Sequence, residues 1–264
     1  MSLALCLISD ASWITQARHL HRQIRQLGYS GRICLLLLEP VPDVHGLALS
    51  DCGLDISVAD ANFCSSSLAK SGLKMWLPQF FRADSYILVD SDLILLSEDF
   101  LRAFLPVSGK LKLVRESFLV WRAGKKKVAI ENHANIIGQP LLQTGVMSFT
   151  RDFWQTYFCE FTTRIATDPS EFGDMVALNQ FIADYPYLLE AVPEEACLVL
   201  RPTGKGASTR AHLPMTRFVN GRFRYDGREV LSIHYTSSNG QVCTCDHIME
   251  MITRYDTATR IAPA

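Results

Sequence analysis

Two stretches near the N-terminus limit what this chain can fold into. Leu3–Ile8 and Ile33–Leu38 are apolar at every position, with no alternation of polar and apolar residues. A strand with one face in water alternates, whereas a strand covered on both faces does not. Between these runs lies a segment with helical spacing, Thr15–Leu27, closed by Gly28. Two shorter apolar runs follow, Ile56–Ala59 and Ile87–Val89. They are separated by "SSSLAKSGLKMWLPQFF", which reads as a helix from about Ser66, broken before Pro78. Strand and helix thus alternate through the first 95 residues or so. That predicts a mostly parallel sheet with helices on both faces, the nucleotide-binding type of α/β half.

The second half is more mixed. Leu111–Arg115 and Phe118–Arg122 read as short strands, and "LLQTGVMSF" as a strand interrupted by Gly145. Asp152–Ile165 and Met175–Ile182 have helical spacing. "TRFVNGRFRYDGREVLSIHY" alternates around Asn220-Gly221 and Asp226-Gly227, both hairpin turn signals. The tail from Val242 to Arg260 reads as a last helix.

The chain has 264 residues, 48% hydrophobic and 20% charged, with a net charge of -1. A packed globule is expected and a nucleic-acid binder is not, since no basic half is present. The longest apolar runs are too short for a transmembrane helix. "MSLALCLISDASW" lacks a basic leader and a small-residue cleavage site, so it reads as a first strand rather than a signal peptide. Of eight cysteines, Cys6 and Cys34 lie in apolar runs, and Cys243 and Cys245 form a Cys-x-Cys with no second pair at zinc spacing. A reduced, cytoplasmic protein is expected.

The stretch "YILVDSDLILL" places Asp90 and Asp92 inside an otherwise apolar run. If the strand continues through them, both face the same side. Two buried carboxylates that close repel each other unless a cation lies between them. Oxygen ligands suit a hard ion such as Mn²⁺ or Mg²⁺, which keeps open positions for phosphate oxygens. The other reading is that the strand ends at Val89 and both aspartates serve a turn. Ser9 and Asp10 follow the first strand, where α/β proteins place ligand contacts. His234 closes the run "VLSI"; a strand-end histidine can be a ligand or a satisfied polar residue. Arg122–Lys127 reads as a solvated basic loop, and Lys205, between two glycines, as a loop without P-loop spacing.

"YILVDSDLIL" after an α/β half resembles the DxD motif of GT-A fold nucleotide-sugar glycosyltransferases. The nearest likeness is to family eight, the glycogenin and lipopolysaccharide galactosyltransferase group. Four further segments fall in the family's order: "LKMWLPQFFRADSYILVDSD", "LLQTGVMSF", "EFGDMVALNQF" and "SIHYTSSNG". Together they span about residues 3 to 240. The resemblance implies an α/β fold of GT-A type, a single Rossmann-like domain over 1–264 with a mixed central sheet. Within it, about 1–95 would be the nucleotide-binding half, about 96–240 the acceptor and catalytic half, and 241–264 a C-terminal helix.

The resemblance further implies a metal-dependent hexosyltransferase. It would act on a nucleoside-diphosphate sugar, UDP-glucose or UDP-galactose, with retention. Asp90, Asp92 and His234 would hold Mn²⁺ or Mg²⁺. Ile8, Ser9, Asp10, Lys74, Asp90, Ser91, Thr144 and Gly145 would contact the donor, with Asp90 also reaching the ribose. Asp174 and Gln143 would be catalytic. The acceptor, whether glycan, lipid-linked sugar or protein, is not implied. The sequence departs from the family pattern at three places. Gln143-Thr144 replaces Asn-Ser, Met175 stands where the family has Gln, and no Lys follows His234 in "HYTSSNG". A haloacid-dehalogenase-type phosphatase shares the apolar run ending in Asp-x-Asp, although there it opens the chain. A degenerate transferase that only binds nucleotide-sugar would share everything but the catalytic groups.

Overall fold

The computed structural model describes residues 2–10, 12–38, 53–59, 70–119, 136, 138–167, 173–200, 209, 212–235 and 244–261. The chain divides into two compact units. One comprises Met1–Ala11, Gly31–Val89 and Phe104–Val192; the other comprises Ser12–Ser30, Asp90–Ala103 and Pro193–Ala264.

A seven-stranded sheet organises the first unit. Its strands are β1 (Leu3–Ser9), β2 (Arg32–Leu38), β3 (Asp55–Ala59), β4 (Ser85–Asp90), β6 (Leu111–Leu119), β7 (Pro140–Thr150) and β8 (Leu189–Pro193), in the order β3-β2-β1-β4-β7-β6-β8. β1, β2 and β3 pair in parallel, while β7 runs antiparallel to both β4 and β6. The sheet is therefore mixed, as the family resemblance implied. The side chains of β1 and β2 are almost wholly buried, which is why neither strand alternates in sequence. One core face packs against the helices Arg151–Thr167 and Gly173–Asp184, through Phe153, Phe161, Ala177, Leu178 and Phe181.

Three sequence readings change here. Gly145 does not interrupt its strand, because β7 continues through it. The two short strands expected between Leu111 and Arg122 are one strand as far as Leu119, with an irregularity after Arg115. The segment before Pro78 is a 3-10 stretch, Lys70–Trp76, leading into a one-turn α-helix, Leu77–Phe80. Pro78 sits in that helix's first turn, where a missing N–H costs nothing.

The second unit holds helix α1 (Ile14–Gln26), a three-stranded sheet in the order β5 (Leu93–Leu95), β13 (Ser232–Tyr235), β9 (Leu198–Leu200), and a meander of β10 (Thr216–Val219), β11 (Arg222–Tyr225) and β12 (Arg228–Glu229). The hairpin turns lie where the sequence places them. Asn220, Gly221, Asp226 and Gly227 have φ of 53°, 76°, 47° and 79°, the left-handed pairs that two-residue hairpins require. The tail helix runs Cys245–Ile261 and contributes Ile248 and Ile252 to this unit's core beside Phe223, Tyr225 and Ile233. Among the described residues no helix is long and apolar enough to cross a membrane. Cys6, Cys34, Cys159 and Cys245 are free thiols; Cys243 lies outside the described residues.

Candidate functional site

The Asp-x-Asp segment spans the end of β4 and a turn. β4 closes at Asp90, Ser91 and Asp92 form the turn, and β5 opens at Leu93. The two carboxylates therefore do not share one strand face, which corrects the alternation expected from the sequence. They converge because the turn folds back, and because β13 clamps it. His234 pairs with Leu93 across the antiparallel ladder, and the Tyr235 N–H donates to the Asp92 carbonyl at 3.0 Å. This register brings His234 Nε2 to 3.0 Å from Asp92 Oδ1 and 3.7 Å from Asp90 Oδ2. One ligand atom from each of the three residues lies within 4.8 Å of the other two, and all three side chains are half-buried.

Two carboxylates and an imidazole on such a separation can hold a divalent cation. An ion about 2 Å from each donor fits inside the triangle. The donor set is mostly oxygen, as Mn²⁺ and Mg²⁺ prefer, with an imidazole that Mn²⁺ tolerates better. Ser91, with Asp92 and Tyr235, also lines a small cavity closed by Gln16 and His19 of α1. The sequence reading assigns nothing to these two; they share a polar helix face with Gln23 and Gln26, which carries no signal of a site.

A second cluster lies in the first unit. Lys74 is buried despite its charge, which excludes the solvated helix face as its setting. Its 3-10 stretch is anchored by the Trp154 indole N–H, which donates to the Met75 carbonyl at 2.7 Å, and by Trp76 edge-on to Phe158 at 4.8 Å. The Lys74 ammonium donates to the Thr144 carbonyl at 3.2 Å and stands 3.3 Å from Asp174 Oδ2. Asp174 lies in the first turn of the helix Gly173–Asp184, where the helix dipole also favours a carboxylate. Its Oδ2 is fully enclosed, and the ammonium contact is not aligned as a hydrogen bond. That oxygen retains an unused acceptor position.

The structure thus brings together Lys74, Thr144 and Asp174, and separately Asp90, Asp92 and His234. Gln143 is buried on β7, opposite Val114, and Gly145 lies two residues further along the same strand. Ile8 and Ser9 end β1; the Ser9 hydroxyl donates to the Asp10 carbonyl at 3.1 Å. Arg122–Lys127, Lys205 and the residues just after Tyr235 lie outside the described residues. Asn179, quoted above within "EFGDMVALNQF" but given no role, is buried and bonded to the backbone of β7. A buried asparagine on an apolar helix face was its signal.

No protein-family model matches the sequence, and no curated protein matches it. Solved structures do match. The galactosyltransferase LgtC, crystallised with donor and acceptor sugar analogues, superposes with a TM-score of 0.61 at 11% identity over 95% of each chain. The glycosyltransferase GlyE of Streptococcus pneumoniae gives 0.61 at 16% identity, over 100% of this chain and 65% of GlyE. Mouse xyloside xylosyltransferase 1 gives 0.55 at 15% identity, over 94% of this chain and 99% of the other. At such identities the likeness is one of fold. The chain has the GT-A type α/β fold of these glycosyltransferases.

Proposed function

We propose that this protein is a metal-dependent glycosyltransferase of the family-eight type. It moves a hexose from a nucleoside-diphosphate sugar, UDP-glucose or UDP-galactose, to an acceptor hydroxyl with retention. The observation that carries the reading is the convergence of Asp90, Asp92 and His234 at the Asp-x-Asp turn of a GT-A fold.

The reaction breaks the bond between the anomeric carbon and the diphosphate, and negative charge collects on the leaving β-phosphate. A divalent cation held by Asp90, Asp92 and His234 would neutralise that charge, an effect of several kcal/mol. Asp90 and Asp92 supply the negative ligands, and His234 supplies a neutral one. Asp90 also accepts from a ribose hydroxyl of the donor, beside Ser91. Asp174 accepts from a hydroxyl of the transferred sugar. Lys74 offsets the Asp174 charge, which would otherwise be buried alone at high cost. Met175 cannot do what the family glutamine does, because a thioether is a weak acceptor; Asp174 and Gln143 carry the catalytic role. Ile8, Ser9, Asp10, Thr144 and Gly145 complete the donor contacts.

The test is a panel of nucleotide-sugars with Mn²⁺, scored for slow donor hydrolysis, which needs no acceptor. Turnover of a UDP-hexose that EDTA abolishes supports the reading. Tight binding of UDP-hexose without turnover of any donor converts it into a nucleotide-sugar binding protein. Metal-dependent hydrolysis of p-nitrophenyl phosphate with no UDP-hexose turnover would overturn it in favour of a phosphatase.

A further inference from the structure

The strand β7 contains a local misfit at the residues that meet Lys74. Its register with β6 runs Lys112 to Ser148 and Leu113 to Met147, then jumps to Val114 opposite Gln143. Thr144, Gly145 and Val146 are therefore three extra residues in β7 relative to β6. On the other side of β7, the β4 ladder reaches Val146 and goes no further. Thr144 and Gly145 thus lie outside both registers among the described residues. A bulge of this kind re-aims the backbone and leaves its carbonyls available. Here the Thr144 carbonyl turns to the Lys74 ammonium at 3.2 Å.

A segment without ladder partners needs another restraint to hold one conformation. Asn179 supplies it just before the bulge. Its Oδ1 accepts from the Leu142 N–H at 3.0 Å, and its Nδ2 donates to the Leu142 carbonyl at 2.9 Å. The same Nδ2 donates to the Met175 carbonyl at 2.8 Å. This amide orientation is the one in which all three contacts pair a donor with an acceptor. The side chain thus stands in for a neighbouring strand, pairing with both backbone polar groups of one residue. A closed circuit results. Asn179 holds Leu142, the chain leads to Thr144, Thr144 holds Lys74, Lys74 meets Asp174, and Asp174 is followed by Met175, which Asn179 also holds.

We propose that Asn179 is a positioning residue, setting the β7 bulge so that Lys74 and Asp174 take up the geometry that glycosyl transfer requires. This rests on the glycosyltransferase reading above, but its structural half can be tested apart from it. Asn179→Leu keeps the branched shape and removes all three hydrogen bonds. Asn179→Asp keeps the acceptor for Leu142 N–H and loses both donors.

Three readouts are needed. The first is donor hydrolysis with Mn²⁺, the second UDP binding by calorimetry with its stoichiometry, and the third modification of Lys74 by an amine-reactive acylating reagent, read by mass spectrometry. Both variants should lose turnover at least tenfold, as a displacement of about 1 Å in a reacting group can do. Stoichiometric UDP binding should persist, and Lys74 should acylate several-fold faster than in the unaltered protein. A purely structural role would instead lower the binding stoichiometry in step with activity. If Asn179→Leu does not fold, Asn179→Asp carries the test, with a smaller loss expected. Unchanged turnover with Lys74 still protected would overturn the proposal. Faster Lys74 acylation in a protein that turns over no donor would uphold the positioning and refute the transferase reading.

Discussion

The ammonium of Lys74 and the carboxylate of Asp174 face each other at 3.3 Å, each side chain less than a tenth exposed. Neither charge has water to fall back on, so each depends on the other. A buried pair of this kind adds little net stability, yet removing one partner leaves an uncompensated charge. Lys74→Met should therefore destabilise the protein by about 3–5 kcal/mol, while Lys74→Met with Asp174→Leu should recover most of that loss. Urea unfolding of the two single variants and the double variant measures the coupling. Additive losses would mean the two groups do not depend on each other.

Asp174→Asn separates charge from shape. The amide keeps one acceptor oxygen but cannot offer a carboxylate to a sugar hydroxyl. Donor hydrolysis should fall by at least a hundredfold, about 3 kcal/mol at the rate-limiting barrier, with UDP affinity little changed. Met175→Ala, one residue along, should leave turnover within about threefold and cost stability through lost packing. Full activity in Asp174→Asn, with folding verified by thermal melts, would remove Asp174 from the catalytic set.

At the Asp-x-Asp turn, UDP should bind more tightly with Mn²⁺ than with EDTA, and Asp92→Asn should lose most of that gain. If the metal contributes about 3 kcal/mol to the barrier, its loss slows turnover roughly a hundredfold. Calorimetry giving equal UDP affinity with and without metal would rule out a shared cation.

His234 can ligate only as a neutral imidazole. Metal-dependent UDP binding should weaken as pH falls, because protons then compete with the metal for the imidazole. His234→Ala should lower the affinity and remove that acid limb. A mutant with the same pH profile as the unaltered protein would show that the limb has another source.

His21 makes a different pH prediction, on stability. It is buried on α1, and its imidazole is held below the usual value of 6.5, by burial first and by Arg25 and Arg22 second. Between the folded and unfolded values, the unfolded chain binds more protons. Its contribution is therefore complete above pH 6.5 and is lost as pH falls towards the folded value. The stability difference between the unaltered protein and His21→Leu, followed by urea titration in EDTA from pH 7.5 downwards, should shrink as pH falls. A difference independent of pH would contradict this.

Local chemistry made much of this protein legible from its sequence. The unalternating runs of β1 and β2 announce strands covered on both faces. Asn220-Gly221 and Asp226-Gly227 announce left-handed hairpin turns. Both follow from each residue's own conformational and solvation preferences. Asp90 and Asp92 stand out because carboxylates are costly in an apolar run, but the run alone leaves open whether strand alternation or a turn brings them together. A turn joins them, and the ladder from β13 places His234 beside them. The bulge at Thr144–Val146, the burial of Lys74, its pairing with Asp174 and the grip of Asn179 on Leu142 depend on residues far apart in the chain. No window of sequence contains both halves of such a contact. Their geometry is decided when strands and helices pack, because burial leaves each polar group only the partners that the fold brings within reach.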